Sequence, residues 1–213
     1  MHKILLSIVF ICHALLARAE PVTIAALGDS LTQGYGLAQG DGLVPQLEKW
    51  LADQGAEVTL INAGVSGDTS AGGAARVNWT LTPDVDGMIV TLGGNDLLRG
   101  IDPAVTRGNL DTILQAAEEA GVEVLLIGME APGNFGAAYK EQFESNYAEL
   151  ADAYGTLFIP SFLGGLAGEG ADPASLGAYM QADGIHPNAQ GVSRIVAAIG
   201  PEVLQLIERI STD

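Results

Sequence analysis

Three side chains of this sequence could together carry out acyl transfer. The hydroxyl of Ser30 is a candidate nucleophile, although a serine is a weak one until a neighbouring base removes its proton. His186 could supply that base and later the acid, because histidine ordinarily titrates at ~6.5. Asp183 precedes His186 by three residues and could reach the imidazole Nδ1–H across a tight turn. That contact would fix the tautomer and stabilise the imidazolium.

Two glycine-rich segments could supply the other requirement of this chemistry, a set of N–H donors for a negatively charged oxygen. One segment runs from Asn62 to Ser70, and the other is Gly93–Asp96. Backbone N–H groups of both segments are suitable, because a glycine has no Cβ to keep a substrate away. The side-chain amide of Asn95 is a further candidate donor.

Each of these residues also has an ordinary structural interpretation when it is considered alone. The alternatives are helix capping by Ser30, turn chemistry at Asn95 and Asp96, a left-handed turn at Gly67, an Asx-turn at Asp183 and a structural or solvated His186. The combination of the segments, rather than any single residue, therefore carries the functional hypothesis.

The elements that would position these segments alternate between strands and helices. Short β-rich runs predict strands at 22–27, 57–61, 87–92, 122–127 and 156–159. Apolar residues at helical spacing predict a helix from Leu43, with Asp41 as a candidate N-cap. A second helix is predicted to begin at Asp102-Pro103 and to stop at Gly121.

Two more helices are predicted in the C-terminal half of the chain. An aromatic stripe from Tyr139 to Tyr154 is typical of a helix face packed on a core. Val192 to Ile199 predicts the last helix, with a break or kink at Pro201 and a further stretch through Ile210 that could resume it.

Near-continuous apolar strands alternating with amphipathic helices predict an α/β fold whose parallel sheet is covered on both faces. Functional sites in such folds form beyond the carboxyl ends of the strands. The segments after Leu27, Ile61, Leu92 and Ile127 are therefore singled out. Ser30 and both glycine-rich segments follow three of these strands.

The first 19 residues have the layout of a secretory signal peptide, with a basic start, an apolar run from Ile4 to Leu16 and the A-x-A sequence Ala17–Ala19. We expect a cut after Ala19, a periplasmic or secreted location and a single domain over residues 20–213. The mature chain would then have no integral membrane span. An uncleaved membrane anchor is the alternative.

Composition excludes several classes of function. The 213 residues include 26 acidic and 9 basic ones, a formal charge of −17, which argues against nucleic acid or an anionic membrane as partner. One cysteine allows neither a disulfide framework nor a cysteine-rich zinc site. We expect no metal and no cofactor. The nucleophile-elbow pattern G-x-S-x-G is absent, because Thr32 occupies the place of its second glycine.

Four blocks of the sequence resemble those of the SGNH/GDSL hydrolase family. They are Gly28–Leu31, a glycine in the second loop, Gly93–Asp96 and Asp183–Asn188. Asn62–Ser70 and Leu92–Gly100 are similar to the periplasmic thioesterase I, lysophospholipase and arylesterase branch of that family. The resemblance extends from about Val22 to the last helix.

The resemblance implies a flavodoxin-like three-layer α/β/α sandwich with a five-stranded parallel sheet. It implies a catalytic triad of Ser30, Asp183 and His186, and an oxyanion hole formed by the Ser30 amide, the Gly67 amide and the Asn95 side chain. The loop 97–102 resembles a mobile segment that covers the acyl chain in relatives, so that Leu97, Leu98 and Arg99 are candidate substrate-binding residues.

The sequence thus predicts a serine esterase that forms an acyl-enzyme on Ser30. Its expected substrates are aryl esters, short-to-medium acyl esters or lysophospholipids, with acyl thioesters as a further class. Negative charge favours neutral or zwitterionic esters over coenzyme A thioesters, unless Arg76 and Arg99 offset it locally. We expect a monomer. A carbohydrate O-deacetylase and a non-catalytic binding protein that uses the same cleft are the alternatives.

Overall fold

The computed structural model describes residues 21–166 and 173–212 of the chain. The predicted signal peptide at 1–19 lies outside the described residues. None of the helices within the two described ranges is long and apolar enough to cross a membrane.

Five strands in the described part of the chain pair in parallel to form one sheet. The strands are β1 Val22–Gly28, β2 Val58–Gly64, β3 Gly87–Thr91, β4 Glu123–Ile127 and β5 Leu157–Ile159. They lie in the order β2-β1-β3-β4-β5. This is the doubly wound order of flavodoxin-like folds, so the predicted fold class is confirmed.

Helices cover both faces of the sheet. The α-helices of the described ranges are α1 Ser30–Gln33, α2 Leu43–Asp53, α3 Ser70–Thr80, α4 Gly94–Leu98, α5 Pro103–Ala120, α6 Ala137–Tyr154 and α7 Ala189–Thr212. Helix α5 packs between α3 and α6 on one face, and α2 packs against α7 on the other. Short 3₁₀ segments lie at Gly133–Phe135, Phe162–Leu166 and Pro173–Tyr179. The molecule is therefore a three-layer α/β/α sandwich.

The central strands show why the sequence is apolar without alternation. All five residues of β3 and the last five of β1 are buried. A strand with helices on both sides has no face toward water, so every position favours an apolar side chain. Fully buried side chains such as Leu27 and Met88 each contribute about 1.5–3 kcal/mol through burial. This core fixes the strand ends that position the site.

Helix α5 begins and ends where the sequence predicts. Asp102 is its N-cap, and Oδ1 of that residue accepts a hydrogen bond from the Ala104 N–H at 2.9 Å. Pro103 occupies the first helical position, and Gly121 ends the helix in the left-handed conformation.

Two N-terminal elements differ from the prediction. Strand β2 continues through Gly64, so Asn62 and its two successors pair with β1 instead of starting a loop. Helix α2 has Gly42 as its N-cap without a side-chain hydrogen bond, so the prediction that Asp41 caps this helix was wrong. The physical reason is that the chain is still extended at Gly42, which places Asp41 one residue too early.

Helix α7 is continuous through Pro201, and the expected break is absent. Proline lacks only its own N–H, so the carbonyl of Ala197 loses its helical partner while the other pairs remain. Buried residues continue on both sides of Pro201, among them Ile199, Val203 and Leu206. Their packing on the sheet keeps the helix continuous across the proline.

Candidate active site

Strand β1 brings Ser30 to the carboxyl edge of the sheet. The strand ends at Gly28 and α1 begins almost at once, with Ser30 as its first residue and only 8% exposed. The N-cap is Asp29, whose Oδ1 accepts a hydrogen bond from the Leu31 N–H at 2.9 Å. The alternative in which Ser30 caps the helix is therefore wrong. The Ser30 hydroxyl is left for another partner.

The structure brings Ser30, His186 and Asp183 into one hydrogen-bonded series. Nε2 of His186 lies 2.9 Å from Oγ of Ser30. Nδ1 of His186 lies 2.7 Å from Oδ2 of Asp183. Because each ring nitrogen has its own partner, the imidazole is oriented at both ends. With Nδ1 donating to the carboxylate, Nε2 is free to accept the serine proton.

Asp183 also holds the turn that carries the imidazole. Its Oδ1 accepts the backbone N–H of Ile185 at 2.9 Å and that of His186 at 3.0 Å. The His186 backbone N–H, then the imidazole and the Ile185 N–H, lower the pKa of Asp183 to about 2. The Asx-turn and the imidazole contact are therefore both present, with one carboxylate oxygen for each. The carboxylate stays ionised through the neutral pH range.

Side-chain and backbone contacts attach this turn to the rest of the molecule. The Gln181 N–H donates to the His186 carbonyl at 2.7 Å. Nε2 of Gln181 donates to the Tyr35 carbonyl at 2.8 Å and to the Pro187 carbonyl at 3.0 Å. The Tyr35 ring lies against the imidazole, with the ring centroids 4.7 Å apart. Gln181 and Tyr35 therefore connect the turn to the segment that follows α1.

Asn95 lies in the first turn of α4, next to Ser30. Its Nδ2 donates to Oδ2 of Asp29 at 3.1 Å. A Cβ at Gly94 would lie only 3.2 Å from the same oxygen, so a larger residue there would press on the carboxylate. Asp29 is 1% exposed. Burial raises the pKa of Asp29 above its usual value, against the opposing effects of the Leu31 N–H and the Asn95 amide.

Gly67 lies in the turn that follows β2. Its φ of +85° is a left-handed conformation that glycine adopts without strain, so the turn interpretation holds structurally. Arg99 donates from Nη2 to the Gly67 carbonyl at 2.8 Å. Gly67 borders the same cavity as Ser30 and Asn95. The three residues from which donors were predicted thus border one cavity.

Arg76 joins the strand ends that carry the serine and the Gly67 turn. Its guanidinium donates to Oδ2 of Asp68 at 2.7 Å, to the Ala63 carbonyl at 2.7 Å and to the Gly28 carbonyl at 2.8 Å. The Arg76 side chain is largely buried. Because its acceptors lie on three segments, this residue fixes the spacing between the loops after β1 and β2.

The buried carboxylate of Asp96 connects α4 to the two helices beside it. Oδ2 of Asp96 accepts the Ser70 N–H at 2.8 Å, and Oδ1 accepts the Ser70 hydroxyl at 2.5 Å and the Thr106 hydroxyl at 3.1 Å. Asp96 has no exposed surface. Its bonds connect the starts of α3, α4 and α5 beside Asn95.

A cavity of about 470 Å³ opens beside Ser30 and His186. Its size is ordinary for a small-molecule site. Most of the wall is apolar, with Leu31, Leu97, Leu98, Met129, Pro132, Phe135, Leu163 and Ile185. Of the three predicted substrate-binding residues, Leu97 and Leu98 border the cavity, and Arg99 does not. Within the described ranges, no group of three or more His, Cys, Asp or Glu side chains could hold a metal ion.

Sequence reasoning gave no role to several residues that organise this site. In the sequence, Asp29 belongs to a family motif, Asp96 to a motif that also fits ordinary turn chemistry, and Arg76 is a local positive charge, whereas nothing distinguishes Gln181. A signal existed for Asp29, because an aspartate directly before a predicted helix is a typical N-cap. Nothing local in the sequence shows that Arg76 or Gln181 reaches a distant carbonyl.

A parallel sheet of this order, with a serine, a histidine and an aspartate in hydrogen-bonded series at its carboxyl edge, is the arrangement of a serine hydrolase. The model of the GDSL-like Lipase/Acylhydrolase family matches residues 26–194. The chain belongs to this family and is an enzyme, a carboxylic ester hydrolase.

Known proteins agree with this membership. Esterase TesA of Pseudomonas aeruginosa is 38% identical over 208 residues, which cover 97% of this chain and all of that protein. Thioesterase 1/protease 1/lysophospholipase L1 of Escherichia coli is 36% identical over 168 residues, 78% of this chain and 76% of that protein. Among solved structures, the SGNH-hydrolase family esterase AlinE4 is 42% identical with a TM-score of 0.71, covering 87% of this chain and 96% of that one. The predicted family is thus confirmed.

Proposed function

We propose that this enzyme hydrolyses esters through an acyl-enzyme on Ser30. The observation that carries the proposal is the 2.9 Å approach of His186 Nε2 to the Ser30 hydroxyl, with Asp183 on the other ring nitrogen at 2.7 Å. A hydroxyl in this position can transfer its proton as it attacks, which is what a weak serine nucleophile needs. The adjoining cavity gives the acyl or alcohol portion of an ester a place to bind.

In the acylation half of the reaction, Ser30 Oγ bonds to the ester carbonyl carbon while its proton passes to His186 Nε2. The negative oxygen of the tetrahedral intermediate accepts hydrogen bonds from the backbone N–H groups of Ser30 and Gly67 and from Asn95 Nδ2. Asp183 stabilises the imidazolium that forms. His186 then gives the proton to the leaving alkoxide, and the bond from carbon to the leaving oxygen breaks.

In the deacylation half, water takes the place of the alcohol. His186 removes a proton from the water as it attacks the acyl carbon, and the same donors stabilise the second intermediate. The bond to Ser30 Oγ then breaks, and the serine recovers its proton from His186. The products are a carboxylic acid and a regenerated enzyme, with no cofactor required.

The proposed substrates are neutral or zwitterionic esters with an apolar portion, namely aryl esters, short-to-medium acyl esters and lysophospholipids. The apolar wall of the cavity and the formal charge of −17 support this class. Arg76 does not border the cavity and is engaged with Asp68 and two carbonyls, and Arg99 is engaged with Gly67. These cations are therefore poorly placed to offset the charge for a coenzyme A thioester.

Labelling with a fluorophosphonate probe tests the proposal for Ser30. The wild-type enzyme is expected to carry one probe on the peptide that contains Ser30, and Ser30→Ala is expected to carry none. The half-buried Ser145 of α6, which lies outside the cavity wall, supplies a matched control, since Ser145→Ala should label like the wild type. Labelling that persists in Ser30→Ala would exclude Ser30 as the nucleophile.

Substrate class has its own test. At low ionic strength, kcat/KM for a neutral ester is expected to exceed that for an acyl-coenzyme A of the same acyl length. Added salt should narrow the ratio, because it screens the repulsion between like charges. A higher kcat/KM for the coenzyme A thioester would contradict the proposed preference and would leave the acyl-enzyme mechanism intact.

Export, processing and oligomeric state complete the proposal. We propose that residues 1–19 are a signal peptide removed after Ala19, and that residues 20–213 form one domain that acts as a monomer in the periplasm or outside the cell. The A-x-A sequence supports the processing site. Intact mass and N-terminal sequencing of the exported protein check the cut, and sedimentation checks the monomer.

A further inference from the structure

Both oxygens of the Asp29 carboxylate are engaged by different parts of the molecule. Oδ1 accepts the Leu31 N–H at 2.9 Å and caps α1, whereas Oδ2 accepts from Asn95 Nδ2 at 3.1 Å. Asp29 is 1% exposed. Within the described ranges it forms no ion pair with a lysine or an arginine. A buried carboxylate without a cation is costly, and a cap alone does not require one, because serine or asparagine also caps helices.

The contact with Asn95 determines which end of that amide faces the cavity. A carboxamide has a donor end and an acceptor end of almost the same shape, and rotation about χ2 exchanges them. A carboxylate oxygen can accept from the NH₂ group, but it would repel the carbonyl oxygen. Asp29 therefore selects the orientation in which one Nδ2 hydrogen is bonded to Oδ2 and the other remains for a ligand.

The orientation matters because the proposed oxyanion lies beside Ser30. In the selected orientation, Asn95 offers an N–H to the developing negative charge. In the flipped orientation it would present a carbonyl oxygen, and two negative oxygens would face each other. Losing the orientation should therefore cost transition-state stabilisation and leave the binding of the neutral substrate largely unchanged.

We propose that Asp29 is a positioning residue that fixes the Asn95 amide with its NH₂ group toward the oxyanion. The inference rests on the proposed function, since it assumes that Asn95 donates to the oxyanion formed on Ser30. The proposal also explains why position 29 is an aspartate. Only a carboxylate accepts at both places, one for the helix and one for Asn95.

Two substitutions of Asp29 separate its two roles, which are to cap α1 and to orient Asn95. In Asp29→Asn the side chain has one acceptor and one NH₂ group, so a donor faces a donor either at Leu31 or at Asn95. In Asp29→Ser the hydroxyl can still cap α1 but is too short to reach Asn95. The matched control is Asp86→Ser, because the Asp86 carboxylate accepts the Thr23 N–H at 2.8 Å near the start of β1, at the opposite edge of the sheet and outside the cavity wall.

The experiment is a double-mutant cycle on kcat with p-nitrophenyl butyrate, in which Asp29→Ser and Asn95→Ala are made singly and together. We expect Asn95→Ala to lower kcat by about 10²–10³, and Asp29→Ser by roughly 10–10² with KM changed less than about twofold. In the Asn95→Ala background, Asp29→Ser should have no further effect on kcat, because the group it positions is gone. Asp86→Ser should leave kcat unchanged.

Three results would overturn the inference. An unchanged kcat in Asp29→Ser, with the expected loss in Asn95→Ala, would show that Asn95 needs no orienting partner, and the proposed function would stand. Equal losses in both backgrounds would show that Asp29 acts by another route. If that route is its charge near His186, the acid limb of the kcat/KM profile would move as well. If Asn95→Ala itself keeps full kcat, the oxyanion assignment in the proposed function fails instead.

Circular dichroism and thermal unfolding establish that each variant is folded before its kcat is compared. If Asp29→Ser does not fold, the isosteric Asp29→Asn replaces it in the same cycle. The same non-additivity with Asn95→Ala is expected there, and additive losses again contradict the inference.

Discussion

The candidate site has two halves that are built in different ways. Ser30, Gly67 and Asn95 follow β1, β2 and β3, so the topology of the sheet places them side by side. Asp183 and His186 follow no strand and lie on a turn before α7. The first half is positioned by buried bonds to the core, whereas the second depends on a few bonds near the surface.

The contacts of each half show the contrast. Asp29 and Asp96 are almost fully buried, and their carboxylates join separate helices beneath the sheet-borne residues. In the turn, the Asp183 side chain is 36% exposed and that of His186 is 16% exposed. Substitutions of these buried residues should therefore lower both stability and activity. Changes around the turn should act on activity with little effect on stability.

The largest expected effect comes from the two residues at which the halves meet. Ser30→Ala and His186→Ala should each lower kcat by roughly 10⁴–10⁶, with almost no further loss in the double variant, because the two groups act as a unit. Steady-state kinetics with p-nitrophenyl butyrate measures this. Independent, additive losses would show that the hydrogen bond between the halves does not operate in catalysis.

The next effect isolates the turn-borne half. Asp183→Asn keeps an oxygen for the backbone of the turn but faces His186 Nδ1 with an NH₂ group, which favours the wrong tautomer. We expect kcat to fall by about 10³–10⁴. The melting temperature should change little, because the side chain is partly exposed. A drop in kcat of less than tenfold would contradict the role of Asp183 as the partner of the imidazole.

A matched pair of substitutions tests the contrast directly. Arg76→Met removes a largely buried guanidinium with its bonds to the carbonyls of Gly28 and Ala63, and it leaves the Asp68 carboxylate without its cation, so we expect a loss of about 2–4 kcal/mol in the free energy of unfolding. Gln181→Leu removes the bonds to Tyr35 and Pro187, and should lower kcat about tenfold with a smaller loss of stability. Denaturant unfolding and kinetics are measured on both. A larger loss of stability in Gln181→Leu than in Arg76→Met would contradict the proposed difference between the two halves.

The smallest effect concerns acid stability of the turn. The pKa of Asp183 is lowered to about 2 in the folded state from 3.8, so its ionised form stabilises the fold fully above pH 3.8. This contribution is lost as the pH falls from 3.8 through about 2. The wild type should therefore melt at a higher temperature than Asp183→Ala above pH 3.8, and this difference should shrink as the pH falls to about 2. A difference that stays constant would contradict the lowered pKa.

The two halves also differ in how far the sequence predicted them. The alternation of apolar strands and amphipathic helices predicted the sheet and the placement of the loops after β1, β2 and β3. The spacing of Asp183 and His186 was enough to suggest their contact, because the carboxylate and the imidazole belong to one short turn. Their approach to Ser30 was predicted from the residue types that acyl transfer needs and from family resemblance, and no periodicity indicates it, since the two segments are far apart in the chain.

What the sequence did not show is the set of side chains that hold the loops together. Arg76 reaches carbonyls of two strands, and carbonyl acceptors leave no mark in a sequence. A break at Pro201 was predicted from the loss of one helical hydrogen bond. The sequence does not show the packing on either side of the proline, and this packing keeps α7 continuous. The predicted cap Asp41 and the capping alternative for Ser30 were each wrong by one residue, because helix ends are uncertain by a residue or two.

The turn that holds Asp183 and His186 is closed by its own backbone. The Asn188 N–H donates to the Tyr179 carbonyl at 2.8 Å, and Met180 pairs with Pro187 in an antiparallel bridge. A short chain fastened at its base keeps its internal geometry wherever that base is attached. The aspartate–imidazole pair is thus a self-contained unit, whose internal hydrogen bonds need no contact with the sheet.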